Sequence, residues 1–531
     1  MPARRPLLAA LLGAPALAPA TARAQRQDPR TLRFVPQANL TSLDPMWSTA
    51  IVTSNHGYYV YDTLFALDAQ GRVQPQMAEG HEVSPDGLIW RIRLREGLTF
   101  HDGSPVRSVD CAASLRRWCS RDGFGQTLAA RVAEWATPDD RTLEIRLSRR
   151  FPLVLEVLGK AYVSVPFIMP ERLARTDPST AVTEMVGSGP YRFSAGEYVS
   201  GSRVVYTKFD GYKPRSEPAS WGSGGKIAHF PRVEWHVIPD AATVAAALRQ
   251  GEVDWWEFPQ VDLLPTLARD RNIALEVIDP TGLMLLMRMN HLNPPFNNPR
   301  LRAAIQMAVA QEDYLRSTAG DDPTGWRACA SLFPCGGPYQ TTTGDGVARM
   351  TGRRDLDAAR AAIRASGYAG EKITIINPAD FPLLAPLGRV SHDLFTRLGL
   401  NSDLVETDWG SVIQRRNNRA PVEAGGWSVL HTFGPGGVFS NPAINLTVRG
   451  QGATGWPGWY GSAAVEEQVN AWLDAPDATA QATAAQNAGR IAMDDVSTVP
   501  LGMVVPRTAL RRSLTGLLPG AAPYPWGIRR A

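Results

Sequence analysis

Cysteine and histidine are scarce: the 531 residues include 4 Cys and 8 His. So few cysteines cannot build a disulfide scaffold, although they are compatible with an oxidising compartment. The histidines are scattered, so Cys/His pairs at zinc-ligand spacing are missing. Runs of Lys and Arg are also missing, as is any basic stripe interleaved with aromatics, which argues against a nucleic-acid partner. The net charge is only +4, and Arg4, Arg5 and Arg23 lie in an N-terminal stretch without a single acid. Beyond that stretch no segment reaches the roughly 18 apolar residues needed to cross a bilayer.

Catalytic signatures are lacking too. There is no G-x-S-x-G elbow and no H-E-x-x-H. Gly225-Lys226 fails as a phosphate loop because Ser220 and Ile227 occupy the positions that need Gly and Ser/Thr. Gly123-Phe124-Gly125 is too short for a dinucleotide fingerprint. His101-Asp102-Gly103 reads as a turn, since Asp and Gly are what a tight turn selects. No cofactor and no metal are expected, and the chain is not read as an enzyme.

What is present is an ordinary globular composition, 44% hydrophobic and 20% charged, in a chain long enough for several domains. The N-terminus has the form of an export signal: Arg4-Arg5, then the mostly apolar run Leu7–Ala20, then Ala22-Arg23-Ala24. Pro15 and Pro19 interrupt the run, which is too short for an anchor. Residues 1–24 are therefore read as a signal peptide, cleaved near Ala24, by either the general secretory or the twin-arginine route. The mature chain is expected to be soluble in the periplasm.

The remaining pattern is α/β. Strands are expected at Thr31–Val35, Leu88–Leu94, Arg141–Leu147, Leu283–Met289, Ile373–Ile376, Ser402–Val405 and Val499–Val505. Helices are expected from Ser108, as cap, to Cys119, over Ala241–Gln250 closed by Gly251, from Asn298-Pro299, from Asp355, over Leu384–Leu398, and around Val465, Val469 and Trp472. Leu283–Met289 reads as a possible crossing between domains. Cys111 and Cys119, eight residues apart on one helix, are about 12 Å apart and cannot bridge. Cys329 and Cys335 flank a short loop and can.

A series of turn motifs then occurs in a fixed order. SPDGLIWRIRLREG leads into Phe100-His101-Asp102-Gly103 and Ser108-Val109-Asp110. Leu43-Asp44-Pro45, Tyr61–Leu64 and Pro75–Glu79 precede it; GSGPYRF (187–193), NPPFNNPRLRAAIQMAVAQEDYL and VPLGMVV follow. Together, from about residue 30 to 515, these resemble family-5 extracellular solute-binding proteins, the dipeptide-, oligopeptide- and nickel-binding components of ABC importers. The resemblance implies a two-lobed periplasmic binding protein fold, α/β, with hinge strands and an extra subdomain in lobe I. By the same resemblance lobe I is 25–60, 187–281 and 505–531, its subdomain 61–186, and lobe II 282–504. It implies a monomer that encloses a peptide or peptide-like solute between lobes and delivers it to permease subunits served by a cytoplasmic ATPase. A nickel chelate, opine, glycoside or small acid is the alternative cargo; a secreted hydrolase is a more distant one.

In peptide binders of that family a lobe II aromatic precedes, by three positions, the carboxylate that holds the peptide amine. The matching stretch here is GGWSVLHTFGP, which places Trp427 as the aromatic and Leu430 where the acid would be, with His431 and Phe433 beyond. This reading expects simple free-amine dipeptides to bind poorly. Trp409 matches another pocket aromatic. Asn377 and Asp380 follow the strand at which some dipeptide binders carry an Arg. The loop from Gln37 to Asp44 faces the cleft in the family.

Overall fold

The computed structural model describes residues 28–531. The signal-peptide reading falls on residues outside that range.

Two sheets dominate. The first has seven strands in the order Tyr191–Phe193, Arg203–Lys208, Arg232–His236, Thr31–Val35, Trp255–Trp256, Thr508–Arg511, Ile273–Glu276. Its centre is parallel: Thr31–Val35 pairs in parallel with both Arg232–His236 and Trp255–Trp256. The second sheet has six strands in the order Trp326–Arg327, Val499–Val504, Leu283–Met289, Val429–Pro435, Ile373–Pro378, Ser402–Thr407. There Ile373–Pro378 runs parallel to both Ser402–Thr407 and Val429–Pro435. Each sheet anchors one α/β lobe.

The helices around these sheets start and stop where the local chemistry directs. The Asp240 carboxylate accepts the Thr243 N–H ahead of Ala241–Gln250, and Gly251 ends that helix at φ 82°. Asn298 caps Pro299–Gln306 and Asp355 caps Leu356–Ala365 in the same way. One expected cap is corrected. Ser108–Cys119 is the helix, but Ser108 Oγ donates to the Asp139 carbonyl, and the Asp110 carboxylate accepts the Arg107 N–H that opens the helix.

A four-stranded antiparallel sheet, in the order Ala78–Val83, Ile89–Leu94, Thr142–Leu147, Val132–Asp139, sits beside the first lobe under Ser108–Cys119. It is tied back by a buried ion pair, Arg117 to Asp44 at 2.7 Å. The expected strand at Leu88 begins one residue later.

The chain passes between lobes through two neighbouring segments. Val277–Gly282 joins Ile273–Glu276 to Leu283–Met289; Val505–Arg507 joins Val499–Val504 to Thr508–Arg511. They run side by side, because Glu276 pairs with Thr508 in one sheet and Leu283 with Val504 in the other. Gly282 is required there: its φ is +69°, and an added Cβ would lie 2.8 Å from the Val504 carbonyl oxygen. Cys329 and Cys335 are bridged, with Cα atoms 5.8 Å apart, while Cys111 and Cys119 are free and buried.

Candidate functional site

Parallel strands deliver their carboxyl ends to one edge of a sheet, and the loops leaving that edge are where α/β folds bind ligands. In the first lobe this edge carries Gln37, after Thr31–Val35, and Glu257, directly after Trp255–Trp256. In the second it carries Asp380, Trp409 and the end of Val429–Pro435. The two edges meet: Ala38 and Phe258 of the first lobe pack against the apolar core of the second. The seam between the lobes therefore runs through these residues.

The first-lobe side is rich in buried acceptors. Glu257 is 2% exposed. One carboxylate oxygen accepts the Gln37 backbone N–H at 2.7 Å, and the other accepts the Asn55 side-chain N–H at 3.0 Å. Both partners are neutral, and burial pushes the carboxyl up to about 7. The Gln37 side-chain oxygen is buried without a hydrogen-bond donor. Asn55 rides on the helix Ile51–Val60, every residue of which is buried except Ile51.

The second-lobe side is aromatic. Phe381 stacks against Trp409 with centroids 5.4 Å apart and against Phe433 at 5.5 Å, both near-parallel. The Asp380 carboxylate accepts the Trp409 backbone N–H at 2.8 Å, and Asp408 caps the helix Trp409–Arg415 through the Ser411 N–H. These bonds fix the ring that closes the stack. At the turn beyond Phe433, the Tyr162 ring from the four-stranded-sheet region lies against Gly437, within 1.8 Å of where a Cβ would stand. Only glycine permits that approach.

Of the residues singled out in the sequence, Trp409, Phe433 and Asp380 lie toward the carboxyl edge of the second sheet. The other four are buried, and the reading of them is corrected. Val429–Pro435 is paired along its whole length with Leu283–Met289 and, at Val429 and Leu430, also with Ile373–Pro378, so its side chains alternate between two faces of the sheet. Trp427 stands before that strand, at its amino end. Its indole N–H donates to the Arg416 carbonyl at 2.9 Å, and it packs with Ile376, Val412, Leu430 and Trp459. Leu430 belongs to that apolar cluster, so its lack of charge carries no information about the ligand's amine. His431 is fully buried on the opposite face, its Nε2 2.7 Å from Ser391 Oγ, which in turn lies 3.0 Å from the Tyr314 hydroxyl. Burial lowers it to about 3 and keeps it neutral. Asn377 is also fully buried and donates to the Ala385 carbonyl at 3.0 Å.

Sequence reasoning missed Glu257 and Phe381. The available signal for Glu257 was its place immediately after a short strand that follows a Gly-terminated helix. His101 behaves as a turn residue: its Nε2 lies 3.0 Å from the Gly189 carbonyl, and Asp102 accepts from Ser104.

A sequence model of bacterial extracellular solute-binding proteins, family 5, matches residues 72–441. The chain belongs to this family. Among its relatives is the probable peptide ABC transporter periplasmic-binding protein y4tO of Sinorhizobium fredii, 33% identical over 495 residues, covering 93% of this chain and 92% of that one. The glutathione-binding protein GsiB of Salmonella typhi is 28% identical over 282 residues, 52% of each chain. Two solved structures share the two-lobed fold across 94% of the family-5 chain described here. The binding protein AgaA of A. tumefaciens R10, in complex with agropinic acid, superposes with a TM-score of 0.78 at 18% identity, covering 99% of that protein. A dipeptide-binding protein of Pseudoalteromonas sp. SM9913, in complex with Met-Leu, gives 0.76 at 17% identity, covering all of that protein. At these identities the superpositions establish the fold. The family is a solute-binding component of transport.

Proposed function

We propose that this family-5 protein is exported to the periplasm, loses residues 1–24 near Ala24, and captures a peptide or peptide-like solute between its lobes for an ABC importer. On this reading lobe I is 25–60, 187–281 and 505–531, with 61–186 as its subdomain, and lobe II is 282–504. The observation that carries it is the meeting of the two sheet edges: one holds a buried, uncharged-partner carboxylate and the other an aromatic stack, beside two antiparallel crossing segments on which lobes can hinge. The closed form is then handed to permease subunits, and ATP is used by a separate cytoplasmic ATPase. The bound solute leaves unchanged, which separates this reading from a hydrolase. The protein acts as a monomer, and Trp409, Phe433 and Asp380 belong to the second-lobe wall.

The peptide reading is supported by the relative from Sinorhizobium and the Met-Leu complex; the agropinic acid complex supports a non-peptide cargo on the same fold. Native mass spectrometry of protein purified from its own periplasm tests the proposal. A ladder of peptide masses is expected, with small-angle scattering showing compaction when that mixture is restored to stripped protein. One discrete non-peptide mass would move the cargo to the alternative class. Chemical conversion of the solute, or binding without compaction, would overturn solute capture by closure.

A further inference from the structure

We infer that Glu257 selects the solute, by pairing with a protonated nitrogen that the solute carries into the seam. The inference rests on the solute-capture reading above and names the chemistry of its ligand.

Three observations converge on this residue. The first is position: Glu257 follows the strand Trp255–Trp256 at the carboxyl edge of the first sheet, and its neighbours Phe258 and Ala38 touch the second lobe's core. The residue itself is 2% exposed. The second is its surroundings. The carboxylate is held by one backbone N–H and one carboxamide, and among the described residues no cation pairs with it. A carboxylate so held keeps unused acceptor lone pairs on both oxygens. The third is the Gln37 side-chain oxygen, a further buried acceptor that lacks a donor, on the residue whose N–H grips Glu257. Buried acceptors without donors are costly unless a ligand supplies the donors. An ammonium or secondary ammonium supplies several N–H donors and the missing charge together. The aromatic stack of the second lobe, Phe381 with Trp409 and Phe433, suits the apolar remainder of such a molecule. Tyr59, the titratable group that senses Glu257, is itself raised by burial and stays neutral, so it does not mask the carboxylate's titration.

The test compares wild type with Glu257→Gln and Glu257→Asp, all exported and purified without denaturation. Native mass spectrometry with fragmentation identifies the solute that wild type retains. Calorimetry then measures that solute and, as defined probes, a set of free-amine dipeptides with their N-acetylated counterparts. The retained solute is expected to contain a basic nitrogen. Its binding to wild type should tighten about tenfold between pH 5.5 and 7.0 as the carboxyl ionises. Glu257→Gln should weaken it at least tenfold and abolish that slope, while Glu257→Asp keeps the slope. The advantage of free-amine probes over acetylated ones should vanish in Glu257→Gln. A retained solute without a basic nitrogen overturns the inference, as does a folded Glu257→Gln that retains it undiminished. If Glu257→Gln does not fold, the wild-type slope decides: its absence overturns the inference. If wild type retains nothing and closes on no probe, solute capture itself fails, and the assignment of Glu257 falls with it.

Discussion

The two walls of the seam solve opposite problems. The first lobe brings hydrogen-bond acceptors, Glu257 and Gln37, into a place from which water is nearly excluded. The second brings three stacked rings and keeps its polar groups, Asp380 and Asp408, engaged with backbone N–H groups. A buried acceptor without a donor stores specificity, because only a matching donor relieves it. A stacked apolar wall stores affinity without much selection, because any flat or aliphatic group gains by covering it. The division also shows within the second lobe. The carboxyl end of Val429–Pro435 faces the seam, whereas its amino end, with Trp427 and Leu430, is packed core.

Leu430→Asp tests this contrast most severely. An unpaired carboxylate among Ile376, Val412, Trp427 and Trp459 should cost about 4 kcal/mol, read as the shift in urea unfolding. The folded fraction should retain the wild-type solute. A stable variant that switched to free-amine peptides would place position 430 in the cleft and erase the distinction between the two strand ends.

Glu257→Gln is expected to act on stability with the opposite sign to its effect on binding. The carboxyl sits at about 7 in the folded protein, raised by burial above its ordinary value. The folded state therefore holds the proton more tightly. The stability linked to it is complete below the unfolded carboxyl's pKa and is lost as pH rises through 7. Stripped wild type should lose about 3 kcal/mol between pH 4 and 8 from this group, and Glu257→Gln should lose that much less. Urea midpoints of both proteins across that range provide the measurement. Parallel curves would mean that solvent already reaches Glu257 in the empty protein.

Removing the Cys329–Cys335 bridge, by changing both to Ser, should cost about 2 kcal/mol through the freed loop of the unfolded chain. The bridge packs with Met284, Leu286, Phe439 and Met503. The retained solute, identified by mass, should be the same. A changed solute would show that this side of the second lobe shapes the cleft after all.

Trp409→Ala should give the smallest change. Losing one partner of a partly exposed stack is worth about 1 kcal/mol, or roughly a fivefold loss of solute affinity by calorimetry. The loss should be similar for free-amine and acetylated probes. A loss confined to one of them would give the aromatic wall a selective role.

Much of the fold was legible because local rules agreed with it. Thr31–Val35, Ala241–Gln250 with its Gly251 stop, and Leu283–Met289 fall where cap, turn and apolar patterns put them. Ile51–Val60 was not legible: nearly every residue is buried, so there is no polar face to give a helical period. The long helix Ala478–Asp494 was missed for a related reason. Its buried residues are mostly alanines, which carry little hydrophobic contrast.

The site was legible only in part. Trp409 came from the family resemblance and Asp380 from its place after Ile373–Ile376, whereas Phe433 lies inside Val429–Pro435; that all three stand near one sheet edge is a property of strand order along the chain. Trp427, Leu430 and His431 were misplaced because a short motif does not say where a strand begins. A shift of a few residues moves a side chain from cleft to core or from one face to the other. By itself, then, the sequence determined the α/β class, the turn series that marks the family, and most element ends. These depend on neighbours within a few residues. Which carboxylate is buried without a charge partner, and which rings stack in the second lobe, was decided by tertiary structure alone. Glu257 meets Gln37 and Asn55 from some 200 positions away, and burial, not identity, gives the group its character.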